Sequence, residues 1–212
     1  MKLSWCWLSP FVRSVPLFCL YQSDTLAVYE HKGRTYLVMA NEGDARDNGG
    51  GDSEDERRGG TSSLSIELTS APDLARVTLS NIDSARGGSL VKFGGHSFSI
   101  RAPDGRIVYD SCSLLDSEAI RLKIYDDSRS DNKGVEPEGV ALMHIKGRVL
   151  AFIGLERTTT AAVAVFDIND PSKVRYVDTI VGNGDLKRDR SPEVLTAFKV
   201  GSRYFVGLAE FI

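Results

Sequence analysis

The sequence is poor in the residues from which compact reactive centres are usually built. Of its 212 residues only three are histidine, and His31, His96 and His144 fall in no HxH or HExxH pattern. The spacings of a zinc centre are therefore missing. Three cysteines, Cys6, Cys19 and Cys112, show no metal-ligand spacing and set no disulfide framework. No GxSxG nucleophile motif occurs. The stretch GNGDLKRDRSPE lacks the GK[ST] element of a phosphate-binding loop, and no Asn-x-Ser/Thr sequon is present. Ser97 follows His96, but neighbours on a strand point to opposite faces, so the two are not expected to pair as nucleophile and base.

Other shortages exclude whole classes. No stretch reaches the roughly 18 apolar residues needed to span a bilayer. The formal net charge is −3, so no overall basic field draws in nucleic acid. Helical periodicity is nearly absent. Only Asp116–Lys123 reads as a short helix. Hydrophobic residues make up 42% and charged residues 26%, which is enough to build a core around strands.

What is present is a repeat. LAVYEHKGRTYLVMANE (Leu26 to Glu42), VALMHIKGRVLAFIGLE (Val140 to Glu156) and VLTAFKVGSRYFVGLAE (Val194 to Glu210) share one plan. Each is an apolar stretch, a polar turn containing Gly33, Gly147 or Gly201, a second apolar stretch and a glutamate. Two strands around a glycine turn make a hairpin. The unit from GVALMHIK through RVLAFIGLE and AAVAVFDI to VRYVDTI reads as four successive strands. A repeating four-stranded antiparallel meander is a propeller blade.

The copies start 114 and 54 residues apart, which predicts a diverged unit between the first two. FSIRAPDGRIVYDS (Phe98 to Ser111) resembles VAVFDINDPSKVRYVDT (Val163 to Thr179), and LSIELTSAPDLARVTLS (Leu64 to Ser80) fits the same half-unit. The fold class is therefore all-β: an incomplete β-propeller of about three to four blades, each a four-stranded antiparallel meander. A β-sandwich is the alternative, but it requires no self-similarity. Residues 1–22 read as a signal-like or misassembled segment, with Pro10, Arg13 and Pro16 interrupting its apolar run. Residues 23–212 form the partial propeller.

Several motifs in order resemble the choice-of-anchor I family. They are YLVMANEGDARD (residues 36–47), FGGHSFSI (93–100), DGRIVYDS (104–111), RSDNKGVEPEGVA (129–141), AFIGLER (151–157) and VAVFDINDP (163–171). That family includes bacterial secreted proteins labelled alkaline-phosphatase-like and mesenchyme-specific cell-surface glycoproteins of biomineralising animals. The resemblance implies an extracellular or cell-surface, non-catalytic, calcium-associated protein with a biomineral-matrix role. Its expected partners are an extracellular matrix or mineral surface and the missing blades of a parent protein. A metal-dependent phosphoesterase and a protein-interaction scaffold are the alternatives. The chain departs from relatives at NIDSARGGS (81–89), where they carry a longer Asp/Gly-rich stretch.

The repeat also places acids at equivalent positions. Asp24 and Glu138 precede a first strand, while Glu42 and Glu156 end the second strand 18 residues later; Glu193 and Glu210 do the same in the last unit with a one-residue gap in the alignment. The start of one strand lies beside the end of its hairpin partner, so these acids are expected to meet at one rim. Asp44, Asp47, Asp131 and Glu136 add oxygens from adjoining loops. Such an all-oxygen rim suits Ca²⁺. The competing reading is ion pairing with Arg46, Lys133 and Arg157, which would fix blade packing instead. DARDNGGGDSEDE lacks EF-hand ligand spacing and is read as a solvated loop.

Overall fold

The computed structural model describes residues 17–43, 56–58, 76–87, 90–182 and 192–209. In chain order the first strands are β1 (Leu17–Cys19), β2 (Leu26–His31), β3 (Arg34–Asn41), β4 (Glu56–Arg58) and β5 (Thr78–Ser80). Helix α1 (Asn81–Gly87) leads to β6 (Leu90–Lys92), β7 (Ser97–Arg101) and β8 (Ile107–Asp110). Helix α2 (Leu114–Leu122) precedes β9 (Pro137–Ile145), β10 (Arg148–Leu155), β11 (Ala162–Asp167), β12 (Arg175–Val181), β13 (Val194–Val200) and β14 (Arg203–Ala209).

The hairpin turns follow from glycine chemistry. Lys32 and Gly33 have φ of 51° and 70°, and Lys146 and Gly147 have 48° and 77°. Two successive positive φ values define the turn whose twist matches paired strands. Beyond those turns, β2 pairs with β3 and β9 with β10, both antiparallel. The strands assemble as β2-β3-β7-β8, β12-β11-β10-β9, β13-β14 and β1-β6-β5-β4. Strand β9 lies against β2 and β3 on one side and against β13 on the other. The first strands of successive units are thus neighbours, as in blades stacked around an axis. The described molecule is an incomplete, all-β propeller-like stack.

One expectation about the repeat is corrected. Phe98–Ser111 does not begin a separate unit; it supplies β7 and β8, which complete the first blade on β3. The long interval arises from an insertion between the second and third strands of that blade. Part of the insertion folds as β4, β5, α1 and β6, and β1 joins it by parallel pairing with β6. Of the predicted half-unit 64–80, residues 64–75 lie outside the described residues, and Thr78–Ser80 belongs to this inserted sheet.

The core sits between blades. Phe98 of the first blade and Phe166 of the second are fully buried, with ring centroids 4.5 Å apart. Val38, Ile100, Ala151 and Ile153 surround them. Burying a side chain of phenylalanine size contributes about 1.5–3 kcal/mol, so this seam holds the first two blades together. A second cluster, with Met143, Phe152, Val165 and Leu195, joins the second blade to β13.

The helix expected over Asp116–Lys123 is present as α2, ended by Lys123 in the left-handed conformation at φ 62°. Cys112 corrects the reading of no disulfide framework: it is disulfide-bonded. Cys19 is a free thiol. No helix among the described residues is long and apolar enough to cross a membrane.

Candidate cation site at the propeller mouth

The hairpin register carries the acids to one end of the stack. In the first blade the Asp24 amide donates to the Ala40 carbonyl at 3.1 Å, so the entry to β2 lies beside the exit of β3. Buried Asn41 secures that exit, donating to Ser97 Oγ at 3.1 Å and to Ser99 Oγ at 3.2 Å. Glu42 follows directly. In the second blade Pro137 pairs with Leu155, and the Glu156 amide donates to the Glu136 carbonyl at 3.0 Å. Oxygens of Glu42, Glu136 and Glu156, all three residues buried, lie within 4.8 Å of one another.

These residues line an open cavity of about 460 Å³ together with Asp24, Glu138, Arg129, Asn132, Lys133 and Arg157. Its cations cluster around Glu136, which is 1% exposed. Lys133 Nζ lies 2.7 Å from Glu42 Oε1 and 3.0 Å from Glu136 Oε2. Arg129 donates from Nε to Glu136 Oε1 at 2.9 Å and adds a second bond from Nη2. Arg157 Nη2 pairs with Glu156 Oε1 at 2.7 Å. The ion-pair reading therefore describes this half of the cavity.

The other half of the cavity holds Glu138. Glu138 Oε2 is buried and makes no hydrogen bond. Burial, followed by the charges of Glu156, Glu42, Asp24 and Glu193, pushes the Glu138 carboxyl up to about 8. Burial likewise raises Glu156 to about 7; Glu136 and Glu42 push it further, while Arg157 and Lys133 oppose them. Carboxyls that hold a proton near neutrality mark a surplus of negative charge. Glu193 reaches this region because β13 comes close to the second blade. A Cβ added at Gly154 would meet the Pro192 carbonyl oxygen at 2.5 Å, so only glycine permits that approach.

Of the residues anticipated from sequence, Asp24, Glu42, Glu136, Glu138 and Glu156 share the cavity, and Glu193 acts on it electrostatically. Asp131 stands apart, its side chain 3.4 Å from Arg76 Nη2 and its carbonyl accepting from the Thr78 amide. Asp44, Asp47 and Glu210, with Arg46, lie outside the described residues. Arg129 and Asn132 were not anticipated. Both sit in RSDNKGVEPEG, and the alternation of bases and acids there was the available signal. His31 and exposed His144 flank hairpin turns as expected, whereas His96 does not face Ser97 and packs elsewhere.

Comparison with known proteins adds three findings. The choice-of-anchor I domain model matches residues 9–171. Gigasin-3a of Magallana gigas is 30% identical over 96 residues, covering 38% of this chain and 34% of that protein. The chain therefore spans about a third of the length of that curated relative. No solved structure matches.

Proposed function

The chain belongs to the choice-of-anchor I domain family of secreted or surface β-sheet domains, and on that premise we propose that its propeller mouth binds Ca²⁺. The observation that carries this reading is the Glu138 carboxyl. One of its oxygens is buried without a hydrogen bond, and acids of three successive hairpins act on it. Below about pH 8 a proton relieves that repulsion, and a bound divalent cation would take the proton's place. The residues fit the ion. Every candidate ligand is a hard oxygen, and Ca²⁺ accepts six to eight of them in irregular geometry. Lys133 already compensates Glu42 and Glu136, and Arg157 pairs with one oxygen of Glu156, so the ion belongs beside Glu138, with Asp24 and the second Glu156 oxygen as its neighbours.

The proposed role is binding. At an extracellular surface, a mouth loaded with calcium would tie the domain to a calcium-bearing matrix or mineral. Extracellular modules bind this ion with Kd of roughly 10⁻⁴–10⁻³ M. Calorimetric titration of the full chain with CaCl₂ is expected to show saturable heat in that range and its loss in Glu138→Gln. Absence of heat with millimolar Ca²⁺ would remove the proposal.

A further inference from the structure

A second polar cluster lies where the inserted sheet meets α2, and the cation site does not use it. Lys92 ends β6. Its Nζ lies 2.7 Å from His96 Nε2, and His96 Nδ1 lies 2.9 Å from Asp116 Oδ2. The second oxygen of Asp116 accepts from the Val135 amide at 3.2 Å, which fixes the carboxylate. Three features of this arrangement matter chemically. The carboxylate takes the Nδ1–H of the imidazole and so sets its tautomer. The Nε2 lone pair then faces the amine. The chain is carboxylate, imidazole, nucleophile, the order in which a positioned base activates a weak nucleophile, with an amine in the third place.

The surroundings favour an uncharged amine. Burial lowers the Lys92 ammonium from its ordinary value, against the opposing charges of Cys19 and Asp116. Burial is the largest cause that lowers His96 from its ordinary value, against its hydrogen bond to Asp116. Cys19 is the direct partner of Lys92 across the parallel β1–β6 pair, and burial pushes its thiol up from the ordinary value. The relay is not sealed: Lys92 is part-exposed, and the side chains of His96 and Asp116 are 13% and 20% exposed.

We propose that Lys92 is a nucleophilic amine that captures small carbonyl compounds as an imine, with His96 as its base and Asp116 as a positioning residue. The Lys92 nitrogen lone pair attacks the carbonyl carbon, and the oxygen takes up a proton from solvent. His96 Nε2 removes a proton from the nitrogen, giving a neutral carbinolamine. His96 then returns that proton to the departing hydroxyl, water leaves as the nitrogen lone pair forms the C=N bond, and the protonated imine releases its N–H proton to solvent. No oxidant or reductant is required. This inference is independent of the calcium reading, because none of its residues lines the acidic mouth.

The test is labelling of the full chain with salicylaldehyde, trapped by sodium cyanoborohydride and read lysine by lysine by peptide mass. Lys92 is expected to label at least ~10-fold faster than exposed Lys32, Lys146 and Lys173, a modest share of what a positioned base supplies. His96→Gln and the shape-preserving Asp116→Asn are expected to bring Lys92 down to the exposed rate while the exposed lysines keep theirs. Labelling of Lys92 at or below the exposed rate in the unmodified chain overturns the proposal. So does fast labelling that survives both substitutions. The comparison within the unmodified chain stands even where a variant fails to fold.

Discussion

Glu138 sets the behaviour of the mouth at the scale of single residues. Its carboxyl has an ordinary value of 4.5 and is held up to about 8 in the fold. Between those values the folded chain binds more protons than the unfolded chain, so metal-free stability falls as pH rises through that window. Glu156, raised to about 7, adds in the same direction. Urea midpoints without calcium are expected to drop from about pH 5 to about pH 8, and Glu138→Gln is expected to flatten the slope. Lys133 acts oppositely. It is buried between Glu42 and Glu136, so Lys133→Met removes the cation the two acids share, Glu136 keeping Arg129, and is expected to cost about 3–5 kcal/mol in denaturant unfolding. Much of this was legible from spacing, because acids 18 residues apart around a hairpin must end side by side. What spacing leaves open is the choice of partner. Asp131 looked equivalent to Glu136, yet it pairs with Arg76 of the insertion. The Lys92–His96–Asp116 contact joins the end of β6 and the connection after it to α2, a non-local approach that spacing does not show.

The hairpin is the unit that delivers the acids, and its glycines decide how closely neighbours stack. Gly154 admits the chain just before β13, so Gly154→Ala is expected to force that segment outward and cost about 1–3 kcal/mol. Because Glu193 follows Pro192, the same change is expected to weaken calcium binding measured by calorimetry. Hairpins were readable because apolar alternation and positive-φ glycines are strong local signals. Helix α1 was not anticipated. Its seven residues are too short for helical periodicity, although Ser80 accepting from the Asp83 amide at 3.1 Å is a capping pattern visible in sequence.

For the whole molecule, the seam between the first two blades carries the architecture. Phe166 touches Phe98 at 4.5 Å and Tyr176 at 5.5 Å between centroids, so Phe166→Ala is expected to cost about 3–5 kcal/mol and to uncouple the blades in thermal unfolding. The repeat announced stacked blades, but not that the first is split by an insertion. The two halves of that blade, β2-β3 and β7-β8, are distant in sequence, and only pairing of β3 with β7 unites them. The inserted sheet rests on strands of three residues and on the non-local β1–β6 pair, too short to alternate visibly. The stack brings acids of two hairpins to one mouth, within reach of the charge of Glu193 from the third. Diffraction from crystals of the full chain grown in CaCl₂ addresses that convergence directly. The account predicts an anomalous peak about 2.3–2.6 Å from carboxylate oxygens of Glu138 and Glu156. A mouth with no ion there, its Glu138 turned away and hydrogen-bonded elsewhere, would contradict it.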